Sequence, residues 1–150
     1  MRKKIAELIG IPFLDGGRDR NGLDCYGLCL EVAEIYGQKW PDFKICCYDS
    51  VKIHATVLNE AITGGWVKLS KPEEGCLVVF AIDAKSPNVC QHIGMYVGEN
   101  QIIHTLENIG AHIIRTDHGY FKNKIKGYYK RDTAREILQE EYDKGNAIRG

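Results

Sequence analysis

The hydrophobic residues of this chain change their spacing about half-way along it. From Cys25 they recur at positions i, i+3, i+4, i+7, i+10 and i+11 as far as Tyr36, which predicts one face of an amphipathic helix that Gly37 ends. Two further helices are predicted, one over residues 2–9 and one between residues 49 and 64. The first of these has three apolar residues predicted to face inward: Ile5, Leu8 and Ile9.

Short β-rich runs follow in the second half of the chain. They predict five strands, over residues 76–82, 92–97, 101–106, 112–116 and 127–130. A tight turn is predicted at Gly98-Glu99-Asn100. Helices followed by an antiparallel sheet are typical of an α+β fold. Helical spacing returns after residue 131, so the chain is divided into one domain, residues 1–131, and a C-terminal helix or tail, residues 132–150, that packs on the same domain or docks a partner.

The size and charge of the chain restrict its class. Its 150 residues suit one domain with one core. It has 20 Lys and Arg against 20 Asp and Glu, so no overall field attracts a polyanion and no nucleic-acid partner is expected. Basic and aromatic residues interleave between Lys122 and Arg131; we interpret them as a strand with basic outward positions, although anion-binding surfaces share this pattern.

The chain has no segment with the ~20 apolar residues that a membrane-spanning helix needs. Its first apolar run is interrupted by Glu7 and is too short for a signal peptide. We therefore expect synthesis in the cytoplasm, no membrane partner, and six cysteines that remain free thiols. Any action outside the cell would need another carrier.

Cys25 is the candidate nucleophile. A thiol attacks a carbonyl as thiolate, and its pKa falls at a helix N-terminus or beside an imidazolium. Cys25 is predicted to open the long helix, where unsatisfied backbone N–H groups point toward its sulfur and could also form an oxyanion hole. Gly27 leaves room there for another backbone or a substrate. Most cysteines are small buried apolar residues, and that interpretation is kept for Cys29 and Cys76.

Two histidines on predicted strands are candidate partners of this thiol. His92 shares a strand face with Gly94 and Tyr96, which leaves space beside its ring, and His104 lies on the next strand. A strict two-residue turn would place His92 opposite Glu107, so the two imidazoles meet only with strand twist, a bulge near Gly94 or a different turn. The other three histidines are interpreted as hydrogen-bonded structural residues: His54, His112 and His118.

A zinc site is the alternative use of these side chains. Structural zinc prefers two pairs of cysteines, each two to four residues apart. The chain offers only Cys25 with Cys29, the adjacent Cys46 and Cys47, and Cys90 close to His92. No metal and no cofactor are therefore predicted.

The sequence resembles the NlpC family of cell-wall cysteine endopeptidases, in four blocks that occur in order over about residues 8–131. The blocks are the loop Ile9 to Gly17, the nucleophile motif Gly22-Leu23-Asp24-Cys25-Tyr26-Gly27-Leu28, the strand Glu74 to Phe80, and Gln91 to Gly98 followed by Gln101-Ile102-Ile103-His104. The resemblance implies a papain-like α+β fold, in which the helix bearing the nucleophile packs on an antiparallel sheet.

The resemblance also implies roles for single residues. It makes Cys25 the nucleophile, His92 the general base and then acid, and His104 the residue that orients His92. Members typically cut amide bonds in peptidoglycan stem peptides, often between D-glutamate and a diamino acid, through an acyl-enzyme. Asp24, Tyr26 and Phe13 correspond to substrate-binding positions.

Details around Gly16 to Leu28 and Trp40 to Phe43 are most similar to phage tail and prophage members of the family. A virion tail would deliver a chain without a signal peptide to the cell wall, and tail proteins would then be its partners.

Three positions depart from the family pattern: Phe13 replaces a tyrosine, Tyr26 a frequent serine, and Cys76 a common aspartate. Two other functions therefore stay open: a structural tail module with a weak or silent site, and a papain-like amidase or acyltransferase with a substrate outside the wall.

Overall fold

The computed structural model describes residues 1–42, 65–82 and 92–131. In chain order the elements within these ranges are α1 (Arg2–Ala6), β1 (Arg18–Asp19), β2 (Gly22–Leu23), α2 (Cys25–Ile35), β3 (Trp66–Leu69), β4 (Leu77–Phe80), β5 (His92–Gly98), β6 (Gln101–Leu106), β7 (Gly110–Arg115) and β8 (Ile125–Arg131). Helices precede an antiparallel sheet, so the α+β class predicted from the sequence is confirmed.

Within the described ranges, the large sheet has six strands in the order β3-β8-β4-β5-β6-β7. Every neighbouring pair in it is antiparallel. Strands β4 to β7 follow one another as a meander, and β8 then returns to pair with both β4 and β3. The short strand β3 was not predicted, because Trp66 is its only buried residue and so it has no alternating pattern.

The sheet separates two hydrophobic clusters. On one face, α2 packs against β5 and β6 through a cluster that includes Leu28, Val32, Ile93 and Met95. On the other face, a second cluster includes Phe80, Tyr96, Ile102 and Phe121. The alternation predicted for β5 is therefore confirmed, because its odd-numbered residues face α2 and Tyr96 faces away.

The N-terminal helix is shorter than predicted. It ends at Ala6, and although Ile5 and Leu8 are buried, Ile9 is 47% exposed. The chain turns away from the helical path at Gly10, whose φ of +90° suits glycine, so Ile9 cannot follow the buried face. The inward orientation predicted for Ile9 is wrong.

Several predictions concern residues outside the described ranges. These are the helix between residues 49 and 64, the C-terminal tail, and the side chains of Cys46, Cys47, His54 and Cys90. Within the part of the chain that is described, neither helix has the length and apolar character needed to cross a bilayer.

Candidate active site

The N-terminus of α2 is fixed by a cap and by a close backbone contact. Asp24 is the N-cap residue, and its carboxylate accepts a hydrogen bond of 2.7 Å from the Gly27 amide. A Cβ atom at Gly27 would collide with the carbonyl oxygen of Gly17, so glycine lets the preceding loop lie directly on the helix. Cys25 is thereby held as the first residue of the helix, as the sequence predicted.

Asp24 is also the buried member of an ion pair with Arg18. Its side chain accepts from the Gly16 amide at 3.1 Å and from Nη1 of Arg18 at 2.6 Å, and it is fully buried. Arg18 in turn donates to Asp42 through Nε at 2.9 Å and Nη2 at 3.1 Å. Because these donors occupy the carboxylate, the structure gives Asp24 a positioning role, and its predicted contact with substrate stays untested.

The sulfur of Cys25 lies within hydrogen-bonding range of two backbone amides, those of Tyr26 and Ile93. Cys25 is only 7% exposed. Burial, aided by the negative charge of Asp24, raises the pKa of the thiol to about 12, although both amides act in the opposite direction. In this state Cys25 is therefore a neutral thiol.

His92 and His104 meet, as the sequence analysis required. Nε2 of His92 lies 2.9 Å from Nδ1 of His104. The turn at Glu99 and Asn100 has positive φ at both residues, 53° and 60°, but an irregularity between Tyr96 and Gly98 shifts the register of β5 against β6. The sequence left open a bulge near Gly94, and the irregularity lies further along the strand, beside the turn.

Gly94 leaves the space that the His104 ring needs. A Cβ atom at Gly94 would lie 2.9 Å from the Ile103 carbonyl oxygen and 3.1 Å from Cβ of His104. Both distances are shorter than ordinary packing allows, so a side chain here would push the two strands apart. Glycine therefore permits the diagonal contact between His92 and His104.

Both imidazoles are neutral at neutral pH. Burial, and secondarily the charge of His112, lowers the pKa of His92 to about 4. Burial, with the charges of His92 and His112, lowers that of His104 to about 2. The ring of Phe80 packs against both, with centroids 5.4 and 6.0 Å away.

His112 extends this pair to a chain of three rings, and sequence reasoning missed it. Its Nε2 lies 2.9 Å from Nε2 of His104, and its Nδ1 lies 2.8 Å from the Gly110 carbonyl oxygen. The two histidines face each other across the β6–β7 pair. The sequence carried a signal, since His104 and His112 are equidistant from Asn108 and a hairpin that turns there places them opposite each other. The hydrogen bonding predicted for His112 is confirmed, and its partner is the candidate residue His104.

The remaining candidates lie around these residues. Tyr26 is buried, and its hydroxyl donates to the Pro41 carbonyl at 2.7 Å. Phe13 is half-buried and forms an isolated bridge with Leu23. His118 is exposed, and its Nδ1 accepts from the Tyr120 amide at 3.2 Å, which agrees with a structural role.

A cleft of about 540 Å³ opens beside Phe13. It lies between the loop that follows α1 and the turn that joins β6 to β7. Its lining combines apolar residues with two carboxylates and consists of Gly10, Pro12, Phe13, Leu14, Asp15, Glu107, Asn108, Ile109 and Gly110. Two of its lining residues contact neighbours of the site: Phe13 bridges Leu23, two residues before Cys25, and the Gly110 carbonyl lies 2.8 Å from Nδ1 of His112.

Two further features define the chemistry available here. Among the described residues no hydrogen bond joins the Cys25 sulfur to the His92 ring, and no group of three or more His, Cys, Asp or Glu side chains is placed to hold a metal ion. The thiols of Cys25, Cys29 and Cys76 are free and buried. Proton transfer from Cys25 to His92 would therefore require one of these two side chains to move, as is common before a substrate binds.

Comparison with known proteins supports this architecture. Residues 10–130 match the profile of the NlpC/P60 family, so the chain belongs to the NlpC/P60 family. No curated protein sequence matches it.

Solved structures show the same fold at low sequence identity. An NlpC/P60 family protein from Bacillus cereus is 22% identical with a TM-score of 0.58, over 83% of this chain and 36% of that protein. The NlpC/P60 domain of the peptidoglycan hydrolase SagA is 19% identical with a TM-score of 0.52, over 84% of this chain and 94% of the domain. NlpC2 from Trichomonas vaginalis is 18% identical with a TM-score of 0.56, over 84% of this chain and 45% of that protein. This chain thus spans about a third of the Bacillus cereus protein but nearly all of the SagA domain.

Proposed function

We propose that this protein is a thiol-dependent hydrolase that cuts amide bonds in peptidoglycan stem peptides, with Cys25 as nucleophile. One observation carries the proposal: the Cys25 sulfur at the N-terminus of α2 lies within hydrogen-bonding range of the Ile93 amide, and the adjacent residue His92 begins a chain of hydrogen-bonded imidazoles. A thiol, a base and a group that orients the base are the parts of an acyl-transfer site.

The reaction follows from the protonation states. Because the resting site is a neutral thiol beside a neutral imidazole, His92 takes the thiol proton as the sulfur attacks the substrate carbonyl. The protonated His92 then gives that proton to the leaving amine, and the C–N bond breaks to leave a thioester on Cys25. Water, deprotonated by His92, attacks the thioester and releases the acid product and the free thiol.

The substrate assignment rests on the family and on the cleft. SagA, a structural neighbour, is a peptidoglycan hydrolase. The cleft presents apolar contacts from Phe13 and Ile109 together with the carboxylates of Asp15 and Glu107, which suits a peptide that carries an amino group on a diamino acid. Tyr26 uses its hydroxyl on Pro41, so its substrate contact would come from the ring.

The route to the wall is part of the same proposal. The motif details shared with phage tail and prophage members suggest a virion tail as carrier and tail proteins as partners. Detection of the protein in purified virions would support this, and its absence from them would refute it.

A second function is favoured by a specific observation. Cys25 is almost fully buried and its pKa is raised, as expected for a structural module with a silent site. An amidase or acyltransferase with another substrate would use the same three residues. The test below separates these three functions.

The test uses purified peptidoglycan and measures new amino groups and the released fragments. The wild type should release fragments, whereas Cys25→Ala should lose at least ~1000-fold of the rate, because nothing else in the site can form the thioester. The matched control is Cys29→Ala, a buried thiol one helical turn further on, which should keep most of the activity.

Three outcomes are informative. Equal release by wild type and Cys25→Ala contradicts thiol catalysis. No release by either, with Cys25 unreactive toward iodoacetamide, favours the silent module. No release from wall, with rapid alkylation of Cys25 alone, favours an amidase or acyltransferase with another substrate.

A further inference from the structure

We propose that His112 is a positioning residue, which fixes the direction of every hydrogen bond in the imidazole relay formed by His92, His104 and His112. The inference takes its catalytic consequence from the function proposed above. Its structural content, the position of the proton on each ring, can be measured independently of activity.

The Gly110 carbonyl sets the direction of the hydrogen bonds in the relay. A carbonyl oxygen only accepts hydrogen bonds, so Nδ1 of His112, 2.8 Å away, must carry a proton. A neutral imidazole has one N–H, so Nε2 of His112 is then an acceptor. Nε2 of His104, 2.9 Å from it, must therefore donate.

The same reasoning applies to the contact between His104 and His92. With its proton on Nε2, His104 has an unprotonated Nδ1, which accepts from Nε2 of His92 at 2.9 Å. His92 then has its lone pair on Nδ1. This is the form a general base needs, because a ring with its proton on Nδ1 and its Nε2 engaged by His104 could not accept the thiol proton.

Without His112 the direction would not be determined. His104 and His92 can form their contact equally well with either ring as donor, and only one of the two arrangements leaves a base for Cys25. The low pKa values of His92 and His104, both caused mainly by burial, agree with neutral forms of these two rings.

The backbone around the Gly110 carbonyl is held in a fixed position. Gly110 has a φ of 81°, and a Cβ atom there would lie 2.8 Å from the Ile11 carbonyl oxygen. Next to it, the Ala111 amide donates to Ile11 at 2.9 Å and the Gly10 amide donates to Ala111 at 2.8 Å. The loop after α1 therefore holds the carbonyl that orients the relay.

The relay also gives the proton a path toward solvent. When His92 becomes an imidazolium, its Nε2–H can move toward His104 and the Nε2–H of His104 toward His112. His92 and His104 are buried, whereas His112 is half-buried, so the positive charge would spread toward the better hydrated ring.

The first experiment measures the ring protons directly. In protein labelled with ¹⁵N-histidine, long-range ¹H–¹⁵N correlation distinguishes a proton on Nδ1 from one on Nε2. We expect His112 to be protonated on Nδ1, and His92 and His104 on Nε2. A proton on Nδ1 of His92 in the resting protein would overturn the proposal.

Three substitutions of His112 then separate positioning from packing. In His112→Gln the amide can accept from His104 and donate to Gly110, so kcat should fall only about 3-fold. In His112→Lys the ammonium donates toward His104 and reverses the relay, so kcat should fall about 100-fold with little change in KM. His112→Leu, which leaves the direction undetermined, should lie between them. His118→Leu, an exposed histidine of the neighbouring loop, is the control and should match the wild type.

Stability of each variant is measured by urea unfolding, so that misfolding is recognised. Equal losses in the Gln and Lys variants, or an unchanged His92 tautomer in His112→Lys, would overturn the positioning role. If no variant and no wild type releases wall fragments but the ring protons are found as expected, the proposed function fails while the relay inference stands.

Discussion

At the scale of single residues, burial decides the chemistry of the site. It raises the pKa of Cys25 and lowers the pKa of His92, so both groups are held in their neutral forms. An ion pair of thiolate and imidazolium is thus disfavoured in this structure. From the sequence we expected a lowered pKa for Cys25, because a helix N-terminus alone would lower the pKa of a thiol. In the structure the effect of burial is larger.

Gly94 should be sensitive to the addition of one methyl group. In Gly94→Ala the new Cβ meets the Ile103 carbonyl and Cβ of His104, so strands β5 and β6 must separate. We expect a loss of about 1–3 kcal/mol in the free energy of unfolding, together with a weaker His92–His104 contact. Urea unfolding measures the first, and the histidine ¹⁵N spectrum measures the second.

The control for this change is Gly119→Ala. A Cβ atom at Gly119 meets nothing within 4 Å, and this glycine has no positive φ. Its unfolding free energy should change by less than about 1 kcal/mol. A Gly94→Ala protein as stable as the Gly119→Ala protein would show that the strands tolerate the side chain.

At the scale of elements, the N-terminus of α2 is positioned by charges as much as by packing. Asp24 satisfies the helix amide of Gly27 and binds Arg18, which in turn binds Asp42 beyond the C-terminal end of the helix. The ion pair thus links the loop before α2 to the segment after it. The position of the Cys25 sulfur depends on this link.

Asp24→Ala should therefore be strongly destabilising. It removes the N-cap and leaves Arg18, whose side chain is 26% exposed, without its buried partner. We expect a loss of about 2–4 kcal/mol in the free energy of unfolding. Asp117→Ala, which removes the exposed partner of Arg115, should cost less than about 1 kcal/mol in the same urea titration. Similar costs for the two variants would show that the Asp24 network contributes little.

Local sequence signals predicted the elements better than the contacts between them. The spacing from Cys25 to Tyr36 located α2, because the buried face of a helix produces a regular spacing of apolar residues in the sequence. The His92–His104 contact could not be predicted with confidence, because one irregularity before Gly98 decides the register. The role of His112 depends in the same way on the β6–β7 pairing, and the Arg18–Asp24 pair has no periodic signal at all.

At the scale of the whole molecule, the site joins the two faces of the sheet. Cys25 belongs to the cluster between α2 and the sheet, whereas His104 packs against Phe80 and Phe121 on the opposite face. The site therefore forms only when both clusters are assembled. Its buried imidazoles should consequently be detectable in the pH dependence of global stability.

Stability should fall as the pH is lowered from about 6.5 toward 4. The folded-state pKa of His92 is about 4, below its ordinary value of 6.5, so in this window the unfolded chain binds a proton that the folded chain does not. The stabilisation is fully present above pH 6.5, and about 3 kcal/mol of it is lost by pH 4 through His92 alone. His104, whose pKa is also lowered by burial, acts in the same direction.

Urea unfolding at several pH values measures the slope of the unfolding free energy against pH. This slope should become shallower in His92→Gln and stay unchanged in His118→Gln, because His118 is exposed. An identical slope in wild type and His92→Gln would mean that His92 is not a buried neutral group.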